Sequence, residues 1–224
     1  MSGSWQHGTI RTGSRATPAS APLVIKVGGS LLGRIDWPRL VGELLREAAG
    51  DRGCLLVVGG GAVVESLRSN DAARPLPPER MHRAAIDVMG ATGWLVARLL
   101  GLPLVAEPAL QPSRRPAVLD VPAWLGREGR LDGLPVGWDV TSDSIAACVA
   151  ASEGSGLLLA KSVPPPVAGE GRCQALADHG WIDRFFPRAA EPLEEIAWAC
   201  PRSVPPPVVG RPRGEGGRSA ALVG

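Results

Sequence analysis

The sequence has no run of 18 apolar residues, so no transmembrane helix is expected. Its best apolar stretch, 94–106, is cut by Arg98 and Pro103. Residues 1–21 contain no apolar core of signal-peptide length, which excludes a secretory signal in that segment. Histidine is scarce: His7, His82 and His179 never pair at helical spacing, which excludes a zinc signature. The four cysteines (Cys54, Cys148, Cys173, Cys200) form no C-x-x-C pair, so a disulfide framework is not indicated and a reducing cytoplasm is expected. The formal net charge is only +2, which gives no support for a nucleic-acid binder. Tyrosine is absent and asparagine occurs once. Lysine is the most telling shortage. Of 24 basic residues only Lys26 and Lys161 are lysine, as if arginine had replaced it wherever chemistry allowed.

What is present reads as a globular α/β chain: 224 residues, 45% hydrophobic, with 29 Gly and 22 Pro. Residues 1–21 are rich in Ser and Arg without acids and read as a disordered tail. Residues 22–200 read as one domain, and 201–224 as a Pro/Gly/Arg-rich tail. L-V-I-K-V (23–27) is a short buried strand running into Gly28-Gly29. Residues 36–50 carry a helical stripe from Leu40 to Ala48. C-L-L-V-V (54–58) is a second strand ending in Gly59-Gly60-Gly61, with a helix predicted from there to about 69. A long helix is predicted over 79–100, its internal Gly90 and Gly93 pointing to close packing or a subunit contact, so a homo-oligomer stays open. Short strands are predicted at 102–106 and 117–119, a helix over 143–151, a strand at 157–160 ending at Lys161, and a helix over 191–199. The six letters S-V-P-P-P-V occur at both 162–167 and 203–208, a segment suited to polyproline recognition or a coincidence in a Pro-rich chain. The strand–Gly–helix order predicts a three-layer αβα sandwich with a mainly parallel sheet.

Two strands thus end in glycines, and both lysines stand at strands leading to the same sheet edge. Ligands of open α/β sheets bind at the carboxyl ends of the strands. Glycines there let backbone N–H groups approach an anion, and helix N-termini add positive potential. Each ammonium contributes about 4 kcal/mol against a unit negative charge at 4 Å and an effective dielectric of ~20. Two of them suit a transferring phosphoryl group. Neither glycine cluster is a P-loop or a dinucleotide-binding fingerprint, because the spacing and the following Lys-Ser/Thr are missing. Taken singly, each cluster also reads as a tight turn.

The segments V-I-K-V-G-G-S-L-L (24–32), L-L-V-V-G-G-G-A (55–62), V-T-S-D-S-I-A-A (140–147) and L-L-L-A-K-S (157–162) resemble the amino acid kinase superfamily, in its order. The resemblance implies ATP with Mg2+ and in-line phosphoryl transfer to a small molecule, with no protein ligand to the metal assigned. It implies that Lys26 stabilises the transferring group on the acceptor side, that Lys161 contacts the ATP phosphates, and that Asp143 orients both lysines. Read alone, Asp143 is equally an acidic residue favoured near a helix N-terminus. Gly28, Gly29, Gly60 and Gly61 would donate backbone N–H groups, with Ser30 and Ser162 beside the phosphates.

W-D-V-T-S-D-S (138–144), M-H-R-A-A-I-D-V-M (81–89) and W-I-D-R-F-F-P (181–187) are similar to a small group of kinases in methanofuran-type cofactor synthesis. That resemblance implies a phosphate monoester as acceptor, an aminomethylfuran methyl phosphate. Gly59, His82, Met89, Trp138, Asp139, Thr141 and Ser142 are the expected acceptor residues. Trp138 could stack on a flat ring and Asp139 could pair with an ammonium. Core packing (Trp138, Met89) and a turn (Asp139) are the plain alternatives. A carboxylate acceptor stays open through Arg68, Arg80 and Arg83, and so does a non-catalytic oxyanion-binding protein.

Overall fold

A computed structural model describes residues 4–11, 21–49, 52–108, 115–127, 133–166, 173–193 and 195–202. The strands are β1 (Trp5–Arg11), β2 (Leu23–Val27), β3 (Cys54–Val58), β4 (Leu104–Val105), β5 (Ala117–Leu119), β6 (Gly156–Ala160) and β7 (Glu195–Pro201). The helices are α1 (Trp37–Ala49), α2 (Gly61–Ala73), α3 (Pro78–Leu100), α4 (Val121–Leu125), α5 (Ser142–Ser152), α6 (Cys173–Asp178) and α7 (Phe186–Ala189). A 3-10 turn, Gly29–Gly33, follows β2. The strands form one sheet in the order β1-β7-β6-β2-β3-β5-β4, parallel except for the β1–β7 pair.

Strands β2, β3 and β6 are buried along their whole length, as continuous apolar runs in a sheet covered on both faces require. Alternate side chains divide between two cores. Val24, Leu55, Val57, Leu157 and Leu159 face α5 and α7. Ile25, Val27, Leu56, Val58 and Leu158 face α1. Helix α3 serves both cores, with Ile86 and Met89 in the first and Val96 and Ala97 in the second. Its glycines serve packing within the chain: a Cβ on Gly90 would lie 2.7 Å from Pro122 Cγ of α4.

Two expectations are corrected. Residues 191–199 are not a helix; β7 occupies Glu195–Pro201. Ile196, Trp198 and Cys200 enter the first core while Ala197 and Ala199 face the second, a period of two. Hydrogen-bonded pairing with β6 on one side and β1 on the other overrides the helix preference of an Ala-rich segment. Residues 5–11 are not a disordered tail, since β1 closes the sheet edge, with Trp5 opposite Pro201 and Ile10 opposite Ile196. Trp5 and Ile10 are buried, and Trp5 Nε1 donates to the Leu40 carbonyl at 3.1 Å. Gly8 makes room for Trp198, whose ring would lie 2.5 Å from any Cβ there. The second S-V-P-P-P-V copy lies outside the described residues, as does Val167 of the first.

Candidate active site

Strands β2 and β6 pair in parallel with Lys26 opposite Leu159. Lys161 lies two residues beyond Leu159, so both lysines project from the α5 side of the sheet at its carboxyl edge. Helix α5 brings Asp143 in its first turn to meet them. Lys26 Nζ lies 2.7 Å from Asp143 Oδ1, and Lys161 Nζ donates to Oδ2 at 2.7 Å. One carboxylate thus joins two ammonium groups, all three side chains being nearly buried. Lys161 also donates to the Trp181 carbonyl at 2.6 Å, and its Nζ lies 5.0 Å from the Trp181 ring centre.

Burial pushes the Asp143 pKa up, but the charges of Lys161 and Lys26 outweigh it and hold the carboxyl at about 2. For Lys161, burial is the largest effect and lowers the pKa to about 8; Lys26 adds to it and Asp143 opposes it. The centre is therefore a doubly cationic group with a single buried counter-charge, an arrangement that gains by meeting an anion.

The glycine turns pack against each other beside this centre. A Cβ on Gly29 would lie 2.2 Å from Gly61 N, and one on Gly59 2.8 Å from Ser142 Oγ. Gly61 has a φ of +61°, a conformation that glycine adopts without strain. The sterics therefore require glycine here whatever binds. One expectation is corrected: Gly28 is not a free donor, because its N–H bonds the Ala160 carbonyl at 2.8 Å. Gly59 N–H is likewise taken by Val27 O at 3.0 Å. The N–H groups of Gly29 and Ser30 open the 3-10 turn, and that of Gly61 opens α2; they have no partner among the described residues. Gly60 precedes α2 as its cap and is similarly placed. Ser30 Oγ and Ser162 Oγ meet at 2.9 Å across the same edge.

Two cavities open at this sheet edge; of the three charged residues, Asp143 and Lys161 line one of them and Lys26 lines neither. One, of about 840 Å³, is lined by Gly29, Ser30, Gly59, Gly60 and Gly61 together with His82, Met89, Trp138, Thr141 and Ser142. The other, of about 950 Å³, is lined by Asp143, Lys161, Gln174, Asp178, Trp181 and Arg184. Glu65, Arg68, Trp138 and Thr141 line both. Asp139 lies on the Lys161 side, exposed, 3.8 Å from Arg184, and is absent from the cavity that holds His82 and Met89. It therefore does not join the other expected acceptor residues. Trp138 is half-buried: its Nε1 donates to Asp71 Oδ2 at 2.7 Å, and Arg68 stacks 4.9 Å from its ring centre. One ring face is thus committed to a guanidinium rather than to a bound ring. His82 Nδ1 lies 3.4 Å from both N and O of Gly137, which orients the imidazole against the 137–138 turn. Of the three arginines open to a carboxylate, Arg68 reaches a cavity, whereas Arg83 pairs with Asp87 on the helix surface.

Sequence reasoning assigned no role to Trp181 or Asp183. Asp183 is buried and binds the start of α5 from 39 to 42 residues away. Nothing in local spacing ties these positions together; the resemblance of W-I-D-R-F-F-P to known kinases was the one signal that drew attention to them.

The fold is similar to that of uridylate kinase from Archaeoglobus fulgidus, with a TM-score of 0.56 and 15% identity over 82% of this chain and 92% of that one. It is similar also to UMP kinase from Bacillus anthracis, with a TM-score of 0.50 and 12% identity over 76% and 83% of the respective chains. The chain has the amino acid kinase fold. No protein-family model and no curated protein matches it by sequence. In this amino acid kinase fold the centre formed by Lys26, Asp143 and Lys161 stands at the carboxyl ends of β2 and β6, where ligands of open α/β sheets bind. Among the described residues no helix is long and apolar enough to cross a membrane.

Proposed function

We propose that this chain is an ATP-dependent kinase that transfers the γ-phosphoryl group to a small phosphate monoester. The observation that carries the reading is the Lys26–Asp143–Lys161 centre, with one cavity lined by Asp143 and Lys161 and a second lined by the adjacent Thr141 and Ser142. ATP occupies the Lys161 side and the acceptor the side of His82 and Met89. An oxygen of the acceptor phosphate attacks the γ-phosphorus as the bond to the β–γ bridging oxygen breaks, and ADP leaves with that electron pair. Lys26 meets the transferring group from the acceptor side. Lys161 neutralises charge growing on the departing oxygen. Asp143 holds the two ammonium groups apart and aimed, with both its oxygens engaged. Backbone N–H groups of Gly29, Ser30, Gly60 and Gly61 receive phosphate oxygens. Among the described residues no group of three or more His, Cys, Asp or Glu is placed to hold a metal ion. The reading assigns Mg2+ to the ATP phosphates, where it supplies charge neutralisation.

The finer reading takes the acceptor to be an aminomethylfuran methyl phosphate, with a diphosphate as product. Its support is the similarity of residues 81–89, 138–144 and 181–187 to kinases of methanofuran-type cofactor synthesis. With Asp139 outside the acceptor cavity, Glu65 is the carboxylate left there to meet an ammonium. Arg68 lines the same cavity and is the residue behind the second reading, a carboxylate acceptor giving an acyl phosphate; its Nε makes no hydrogen bond among the described residues but lies 3.8 Å from Glu65 Oε2. ADP release with magnesium ATP, screened against phosphate monoesters, carboxylates and nucleoside monophosphates, decides between them. Release above the acceptor-free rate with a phosphate monoester is expected; release with none of the three classes overturns the kinase reading.

The Lys161 pKa gives a pH dependence with a definite sign. Burial lowers it to about 8, so the free protein loses the ammonium as pH rises through 8. kcat/KM for ATP should fall on that alkaline limb, because it reports the free protein. The limb in kcat should stand higher, because bound phosphates favour the cation. A kcat/KM flat from pH 7 to about 9.5 would contradict a charged Lys161 in the transition state.

A further inference from the structure

We propose that Asp183 is a positioning residue that fixes Lys161 and Asp143 relative to each other, an inference that rests on the kinase reading above. Asp183 lies in the turn between α6 and α7 and is buried. Its Oδ2 accepts from Thr141 N at 2.9 Å, Thr141 Oγ1 at 2.7 Å and Ser144 N at 3.0 Å. Its Oδ1 accepts from Phe186 N at 2.8 Å and from Ser144 Oγ. These contacts grip α5 on both sides of Asp143. The carboxylate also sits at the positive end of α5, where a negative charge is favoured.

The same turn holds Lys161. The Trp181 carbonyl, two residues before Asp183, accepts from Nζ at 2.6 Å, and Trp181 Nε1 donates to the Val163 carbonyl at 3.1 Å. An ammonium has three donors. Asp143 and Trp181 take two, which leaves one for a phosphate. A lysine side chain with four free torsions needs such restraint to present that donor in one direction. Asp183 thus ties the anchor of Lys161 to the helix that carries Asp143, so any movement of the turn displaces both partners. The charged groups near Lys161 are Asp143 on α5, Lys26 on β2 and Asp183 itself. Glu65, Arg68, Asp139, Asp178 and Arg184 line the same cavity. Burial lowers the Lys161 pKa most; Asp143 and, more weakly, Asp183 oppose it.

Asp183→Asn keeps the shape, removes the charge and turns an NH2 toward donors. kcat should fall by about 10- to 10²-fold, the scale of a misplaced reacting group. The acceptor KM should hold, since Asp183 does not line the acceptor cavity. The titration midpoint of Lys161, read from the pH dependence of its amine modification by peptide mass spectrometry, should move down by about half a unit to one unit. Ser144→Ala removes one contact and should shift kcat and the midpoint in the same directions by less. A purely structural cap would lower Tm and leave the midpoint and kcat in place. A folded Asp183→Asn variant with kcat within about twofold of the parent and an unmoved midpoint overturns the inference. If Asp183→Asn does not fold, Ser144→Ala decides: unchanged kcat and midpoint there overturn it as well. The modification needs no turnover, so a parent chain that phosphorylates nothing defeats the kinase reading while the hold of Asp183 on Lys161 is still measured.

Discussion

Lys26→Ala and Lys161→Ala should each lower turnover by about 10²-fold or more, the usual scale when a preorganised charge facing a transition state is removed. Each lysine is one of two cations around one buried carboxylate, so neither has a neighbour that can take over its direction of approach. Alanine at 26 leaves Asp143 with Lys161 alone, which neutralises the pair and removes the surplus positive charge that a phosphoryl group would meet. Lys26→Arg should fail too. Lys26 is nearly buried, with Nζ 3.8 Å from where a Cβ on Gly28 would sit. A planar five-donor guanidinium cannot occupy the space of a compact ammonium there. Steady-state ADP release under saturating substrates is the measurement, with circular dichroism to establish that each variant folds. Near-normal turnover in both alanine variants would remove the mechanism; an active Lys26→Arg would show that its lysine reflects composition rather than chemistry.

The scarcity of lysine makes this centre legible in the sequence. In a chain whose other 22 basic residues are all arginine, one lysine on a buried strand and one just past the end of another are exceptions that call for a chemical reason. The strand–glycine–helix rhythm placed them at one sheet edge, because buried parallel strands are continuous apolar runs and their carboxyl ends need sharp turns. What stayed hidden depended on pairing across the chain. β7 reads as a helix until β1 and β6 claim its backbone hydrogen bonds. β1 looks like tail because only Trp5 and Ile10 signal burial, and they do so only once β7 lies beside them. Asp183 has one local donor, the Phe186 N–H three residues on; its other donors, Thr141 and Ser144, are some 40 residues away at the start of α5. Asp139 parts from the other expected acceptor residues for a related reason. Residues 138 and 139 are neighbours in sequence, but the tryptophan lines both cavities and the aspartate lines only the one with Lys161.

Asp143→Asn should be the most destabilising of the site substitutions, by about 3–5 kcal/mol at neutral pH, the range found when one partner of a buried ion pair is removed. Asparagine is nearly isosteric, so the packing of α5 is unchanged and the loss is electrostatic. In the parent, burial raises the Asp143 pKa but Lys161 and Lys26 bring it down to about 2, below its unfolded value of 3.8. A carboxyl held below its unfolded pKa contributes stability that is complete above about pH 5 and is lost as pH falls from there through 2, here about 2 kcal/mol. The variant lacks that contribution and leaves two lysines facing each other in a buried site. Asp143 is also the main influence holding the Lys161 pKa up against burial. Without it the amine loses its proton below 8, so Lys161 can relieve the repulsion by becoming neutral. The gap in Tm between parent and variant should therefore be wide at pH 6 and narrower at pH 9. Thermal unfolding at the two pH values measures it. A gap that is the same at both, or that widens with pH, would mean that Asp143 holds the fold by shape and hydrogen bonding rather than by separating two like charges. On the proposed function the same variant should lose activity at both pH values, because relieving the repulsion at Lys161 removes the charge assigned there to the departing phosphate oxygen.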